Sequence, residues 1–178
     1  MDPDRGKSSD SSTQTGYLEM ISHSPDETQQ LGKNIGELAA PGDIYLLAGS
    51  LGAGKTCLTQ GIAWGLDIKE YTLSPSFVLI RELYGRLPLY HIDLYRLDRL
   101  EEIADLGLND YFHGSGVCTV EWAEKALNLL PPEHLLIEIS YLGDTKRHFQ
   151  VKSSGRRYLE MINKLKPLVP ADQKSGSS

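Results

Sequence analysis

The chain has 178 residues, 40% of them apolar, and a formal charge of −6 at pH 7. A chain of that length is expected to bury one core as one domain, and it holds no apolar run near the ~20 residues that span a membrane. The acidic balance argues against a surface built wholly for nucleic acid, although a local basic patch stays open.

Residues 1–15 are polar and read as a disordered tail. They lack the apolar core of a signal peptide, so the expected compartment is the cytoplasm. YLEMISH (17–23) predicts a strand. A helix should follow, with Ser24 as cap, Pro25 at its first position and Glu27 completing a capping box; Leu31, Ile35 and Leu38 then share one face. DIYLLAG (43–49) predicts a short apolar strand entering a glycine-rich loop, with a helix from Thr56 to Trp64. Residues 76–97 predict two strands around a turn at Gly85. A short helix follows, with Asp98 as candidate cap, and then a strand over 116–122. HLLIEISYL and HFQVKSS predict a strand pair with its turn near Gly143–Asp144. GRRYLEMINKLK closes the domain as a helix. The folded domain is thus expected over 16–166, with 167–178 a disordered C-terminal tail. The two cysteines, Cys57 and Cys118, show no metal-ligand spacing and are expected to be reduced, buried thiols. The fold class expected is α/β, with helices alternating with strands early and antiparallel hairpins added later.

GSLGAGKT (49–56) matches G-x-x-x-x-G-K-S/T in full, and its strand–loop–helix setting separates a P-loop from a chance match. The predicted nucleotide-binding residues are Gly49, Ser50, Leu51, Gly52, Ala53, Gly54, Lys55, Thr56 and Cys57. In such a loop the backbone N–H groups and the helix start surround phosphates. Lys55 should reach the β- and γ-phosphates and Thr56 should place its hydroxyl on Mg²⁺.

Hydrolysis also needs an acidic residue for the metal and often a group that positions water. Asp93, in LYHIDLYR, and Glu121, in VCTVEW, both fall near strand ends and could flank the P-loop strand. Each could instead be a surface carboxylate or a helix cap. Ser74 and Ser76, in SPSF, could sense a γ-phosphate as a switch loop does, or simply open a strand. Trp122 is either core packing or a partly exposed aromatic beside nucleotide or partner. No N/T-K-x-D guanine signature occurs, which favours ATP. No arginine-rich lid is evident either, so a small-molecule kinase fits less well than a slow or partner-activated ATPase. A nucleotide-gated binding module with negligible hydrolysis is the alternative of a different class. The stretch KRHFQVKSSGRR (146–157) is locally basic and reads either as solvated structure or as a surface that meets RNA.

GSLGAGKT, SPSF, HIDLYRL and VEWAEK, in that order, resemble the TsaE (YjeE) family over roughly residues 17–160. The resemblance implies a single P-loop ATPase domain with a mixed sheet flanked by helices. It implies an ATPase that supports turnover of a TsaB–TsaD complex, which places threonylcarbamoyl on tRNA, with tRNA met only indirectly. By position, Lys55 and Thr56 take the phosphate and Mg²⁺ roles, Asp93 looks like the metal-associated aspartate, and Glu121 with Trp122 matches the Glu-Trp pair tied to hydrolysis, metal and nucleotide contact. Ser74 and Ser76 fall in the switch-like loop. The chain departs from the family pattern at Ser50, where Asp is usual, and at Ser76, where Thr is usual.

Overall fold

The computed structural model describes residues 15–71 and 79–175. Seven strands form one sheet: β1 (Tyr17–Ser22), β2 (Ile44–Ala48), β3 (Ile80–Tyr84), β4 (Pro88–Asp93), β5 (Val117–Glu121), β6 (His134–Tyr141) and β7 (Arg147–Ser154), in the order β1-β7-β6-β2-β5-β4-β3. The middle strands β6, β2, β5 and β4 are parallel, whereas β3, β7 and β1 pair antiparallel toward the edges. The sheet is therefore mixed, as expected.

Helices α1 (Pro25–Leu38), α2 (Lys55–Gly65) and α5 (Arg156–Leu165) cover one face; Leu31, Ile35, Leu58, Ile62, Met161 and Ile162 pack there against Tyr45 and Leu47 of β2. The short helices α3 (Leu100–Ala104) and α4 (Asn109–Phe112) cover the other face, where Ile103 and Phe112 meet Leu46, Ile92 and Val120. Because both faces of β2 are covered, its sequence is apolar without alternation.

Helix α1 starts at the predicted cap, Ser24, with Pro25 next, but Glu27 does not close the expected capping box: its carboxylate passes the Ser24 N–H and reaches one residue further back. Ser24 Oγ accepts from the Glu27 N–H at 3.3 Å, and the Glu27 carboxylate accepts from the His23 N–H at 2.6 Å. Helices α1 and α2 touch through glycines. A Cβ on Gly61 would lie 2.1 Å from the Gln29 carbonyl oxygen, and one on Gly32 would lie 2.2 Å from that of Leu58. This contact seats α2, and with it the glycine loop at its start. At the other end of β2, buried Asp43 accepts from Arg157 (3.0 and 2.7 Å) and from the Tyr45 hydroxyl (2.9 Å), tying α5 to the strand entry.

Several expectations need correction. Helix α3 begins after Arg99, whose N–H donates to Glu102 at 3.3 Å; Asp98 is no cap and pairs with Lys125 at 3.5 Å. Helix α4 was not foreseen, because four residues are too short for a periodic pattern to register. Among the described residues, the segment from 167 to 175 carries local structure and tertiary contacts. Turns of 3₁₀ helix occupy Lys166–Leu168 and Ala171–Gln173, Val169 is buried in the core, and Lys174 bridges Met20 of β1. Buried Val169 and Gln173 and the Lys174–Met20 bridge hold this segment, contacts that composition does not register.

Candidate nucleotide-binding site

The loop between β2 and α2 opens at the C-terminal edge of the parallel strands, where α/β sheets form their ligand crevices. Gly54 caps α2 with φ +112°, a left-handed conformation that side chains disfavour. No side chain caps this helix, so its first N–H groups stay available to an anion.

A cavity of about 280 Å³ lies beside the loop, lined by Leu51, Gly52, Gly54, Lys55, Thr56 and Cys57 together with Asp93, Tyr95, Glu121 and Trp122. The structure thus brings most of the predicted residues into one cleft. Gly49, Ser50 and Ala53 stand outside its lining. Gly49 N–H donates to Glu124 at 3.4 Å, Ser50 offers its carbonyl to Lys55, and Ala53 is fully buried. Ser74 and Ser76 lie outside the described residues.

Strand β5 borders β2 directly, but β4 does not; it lies one strand further out. Asp93 still reaches the cleft, because it is the Cα partner of Glu121 at the ends of β4 and β5. Both carboxylates are buried, at 2% exposure each, so neither is a surface carboxylate. Asp93 accepts from the Tyr95 N–H at 2.9 Å. Glu121 accepts from the Thr56 hydroxyl at 3.0 and 3.1 Å and bonds His91 Nε2 at 2.6 Å.

The Lys55 ammonium donates to the Gly49 and Ser50 carbonyls at 2.5 and 2.9 Å and sits 4.0 Å from the Trp122 ring centroid. Burial pulls its pKa down from 10.5, against the opposing pull of Glu121, Glu124 and Asp93. Trp122 adopts φ 60°, ψ 35°, an outlying conformation for a bulky residue. That turn at the end of β5 places the half-buried indole over the loop and against Tyr95, 5.0 Å away. The donors facing the cavity from Thr56, Asp93 and Glu121 are all oxygens, the set that suits a hard cation such as Mg²⁺.

Residues not foreseen complete the site. The Tyr141 hydroxyl donates to the Leu51 carbonyl at 2.8 Å, and Arg147 donates to the carbonyls of Ala53 at 3.0 Å and Gly52 at 3.5 Å. The β6–β7 hairpin therefore braces the loop from behind. Only a long-range contact reveals this, and no local motif signals it. The basic run at 146–157 is largely engaged internally: His148 with Glu19, Lys152 with Glu138, Arg156 with Glu160 and Arg157 with Asp43. Cys118 is buried, and its thiol is pushed up to about 12 by burial. Cys57, expected to be buried as well, is only half-buried at the cavity wall.

A glycine loop that joins a central parallel strand to a helix, with acidic residues closing the neighbouring strand, defines a P-loop nucleotide-binding fold. Residues 22–149 match the family model described as "Threonylcarbamoyl adenosine biosynthesis protein TsaE", and the chain belongs to that family. It is 48% identical over 139 residues to the tRNA threonylcarbamoyladenosine biosynthesis protein TsaE of Bacillus subtilis (strain 168), covering 78% of this chain and 86% of that protein. The protein of the same name from Treponema pallidum (strain Nichols) is 40% identical over 134 residues, covering 75% of this chain and 99% of the relative. A crystal structure of Bacillus subtilis YdiB superimposes with a TM-score of 0.77 at 40% identity, covering 88% of this chain and 99% of that one. Among the described residues, no helix is long and apolar enough to cross a membrane.

Proposed function

We propose that this chain is a Mg²⁺-dependent ATPase subunit for threonylcarbamoyladenosine modification of tRNA, acting with a TsaB–TsaD complex to support its turnover in the cytoplasm. The observation that carries the ATPase reading is the convergence of the P-loop residues Lys55 and Thr56 with two buried carboxylates, Asp93 and Glu121, in one cleft. Family membership supports the pathway and, through it, the partner.

In this reading the loop N–H groups and the α2 start bind the phosphates, with Lys55 moving from the Gly49 and Ser50 carbonyls to meet them. The Thr56 hydroxyl, Asp93 and Glu121 would hold the metal. Bound Mg²⁺ would neutralise charge on the terminal phosphates and fix their orientation. Glu121, buried and anchored on one oxygen by His91, orients the attacking water and accepts its proton. The Trp122 indole, lying over the loop, packs beside the nucleotide. Arg147 donates to loop carbonyls and is therefore held away from an arginine-finger role. In this reading hydrolysis by the chain alone is slow, and the partner activates it.

The test is ATP hydrolysis with and without a cognate TsaB–TsaD complex, with Lys55→Ala as the blank. Strong stimulation that the blank lacks supports the partnered ATPase. Tight ATP binding without stimulated hydrolysis favours the nucleotide-gated binding module instead.

A further inference from the structure

His91, Asp93, Thr119 and Glu121 lie on one face of the neighbouring strands β4 and β5, since His91 pairs with Thr119 and Asp93 with Glu121 in register. Side chains two residues apart on a strand share a face, so these four form a polar block under the cleft, each no more than 2% exposed. Within it, His91 Nε2 meets Glu121 Oε1 at 2.6 Å. Its other ring nitrogen, Nδ1, is buried with no hydrogen-bond partner. An ionised carboxylate can only accept, so the ring nitrogen that faces it, Nε2, is the donor to Glu121.

A side chain needed only for packing would be apolar here, as Ile92 and Val120 are on the opposite face, and would leave no buried nitrogen unpaired. What histidine adds is one N–H aimed at one oxygen of Glu121. The Thr56 hydroxyl faces the same carboxylate. We propose that His91 is a positioning residue: through Nε2–H it locks the Glu121 carboxylate in the orientation that the Mg²⁺–nucleotide site requires. This inference rests on the proposed function above.

The test compares His91→Leu with His91→Gln, whose side-chain amide can present an N–H near the position of Nε2. Two quantities are measured: the Mg²⁺-dependent gain in affinity for a non-hydrolysable ATP analogue, and kcat and KM for ATP with the TsaB–TsaD complex. In His91→Leu the metal-free affinity should stay within about twofold, while the Mg²⁺-dependent gain and kcat fall about 10- to 100-fold, the usual cost of losing an outer partner of a metal site. KM should change far less, and Gln should restore most of both losses. A Leu variant with full Mg²⁺ gain and full kcat overturns the proposal. So does equal damage in Leu and Gln that extends to metal-free binding, because that marks a packing role. If the Leu variant does not fold, His91→Asn replaces it: its shorter amide should lose the Mg²⁺ gain that Gln keeps, and equal gains overturn the proposal. If the wild type binds but does not hydrolyse ATP, the ATPase reading fails, and the Mg²⁺ gain still decides the role of His91.

Discussion

The Lys55 ammonium faces the Trp122 indole at 4.0 Å while the Gly49 and Ser50 carbonyls also accept from it. A lysine so placed has a resting partner that phosphate must displace, since a cation–π contact is worth about 0.5–2 kcal/mol. The indole therefore reports on the lysine. In a Trp64→Phe background, which leaves Trp122 as the single tryptophan, saturating ATP should change the emission, and Lys55→Met should remove the response. Unchanged emission at saturation would contradict displacement of the lysine from the ring.

Burial lowers the Lys55 pKa in the free protein, and bound phosphate raises it again by favouring the charged form. The sign follows from linkage: binding takes up a proton wherever the free lysine has lost one, so affinity falls as pH rises through the free-protein pKa. ATP affinity should thus decline on an alkaline limb that begins below the ordinary lysine value of 10.5. Titration calorimetry across that range, with Lys55→Ala lacking the limb, checks the direction.

Arg147 touches the loop only through carbonyl oxygens, and it also donates to the hairpin carbonyls of Gly143, Asp144 and Lys146 at 2.9–3.1 Å. Replacing it with Ala removes a brace without removing a nucleotide ligand. The expected cost is about 1.5–3 kcal/mol in stability, the range for hydrogen bonds to a charged group, with a several-fold loss of ATP affinity. Denaturant unfolding and calorimetry measure the two. Wild-type affinity in Arg147→Ala would mean that the loop holds its shape without the hairpin.

Gly61→Ala tests how tightly α2 is seated. Its new methyl would meet the Gln29 carbonyl at 2.1 Å, backbone that cannot swing aside. Overpacking of this kind costs about 1–3 kcal/mol, here at the upper end, and shifts the helix that carries Lys55 and Thr56. Gly54→Ala meets no neighbour within 4 Å, so its cost is confined to the left-handed backbone, about 1–2 kcal/mol. Thermal unfolding of both variants should rank Gly61→Ala as the more damaging.

What the sequence determined by itself was what short-range physics writes locally. The Ser24 cap, the unbroken apolar run of β2 and the spacing from Gly49 to Thr56 each act within a few residues, so each could be read directly. Asp93 and Glu121 were legible as candidates because they close apolar strands. Tertiary structure alone decided the rest. Strand order made Asp93 and Glu121 register partners and put β5, but not β4, beside the P-loop strand. Chain folding brought Tyr141 to Leu51 and His91 to Glu121, pairs whose sequence separation exceeds any local period. It also paired His148 with Glu19 and Lys152 with Glu138 across neighbouring strands in the basic run at 146–157, because a charge reads as solvated until its partner appears across the sheet. Val169 and Gln173 make the same point near residue 170: both are buried in a segment whose composition reads as tail, because burial depends on what the fold places opposite it.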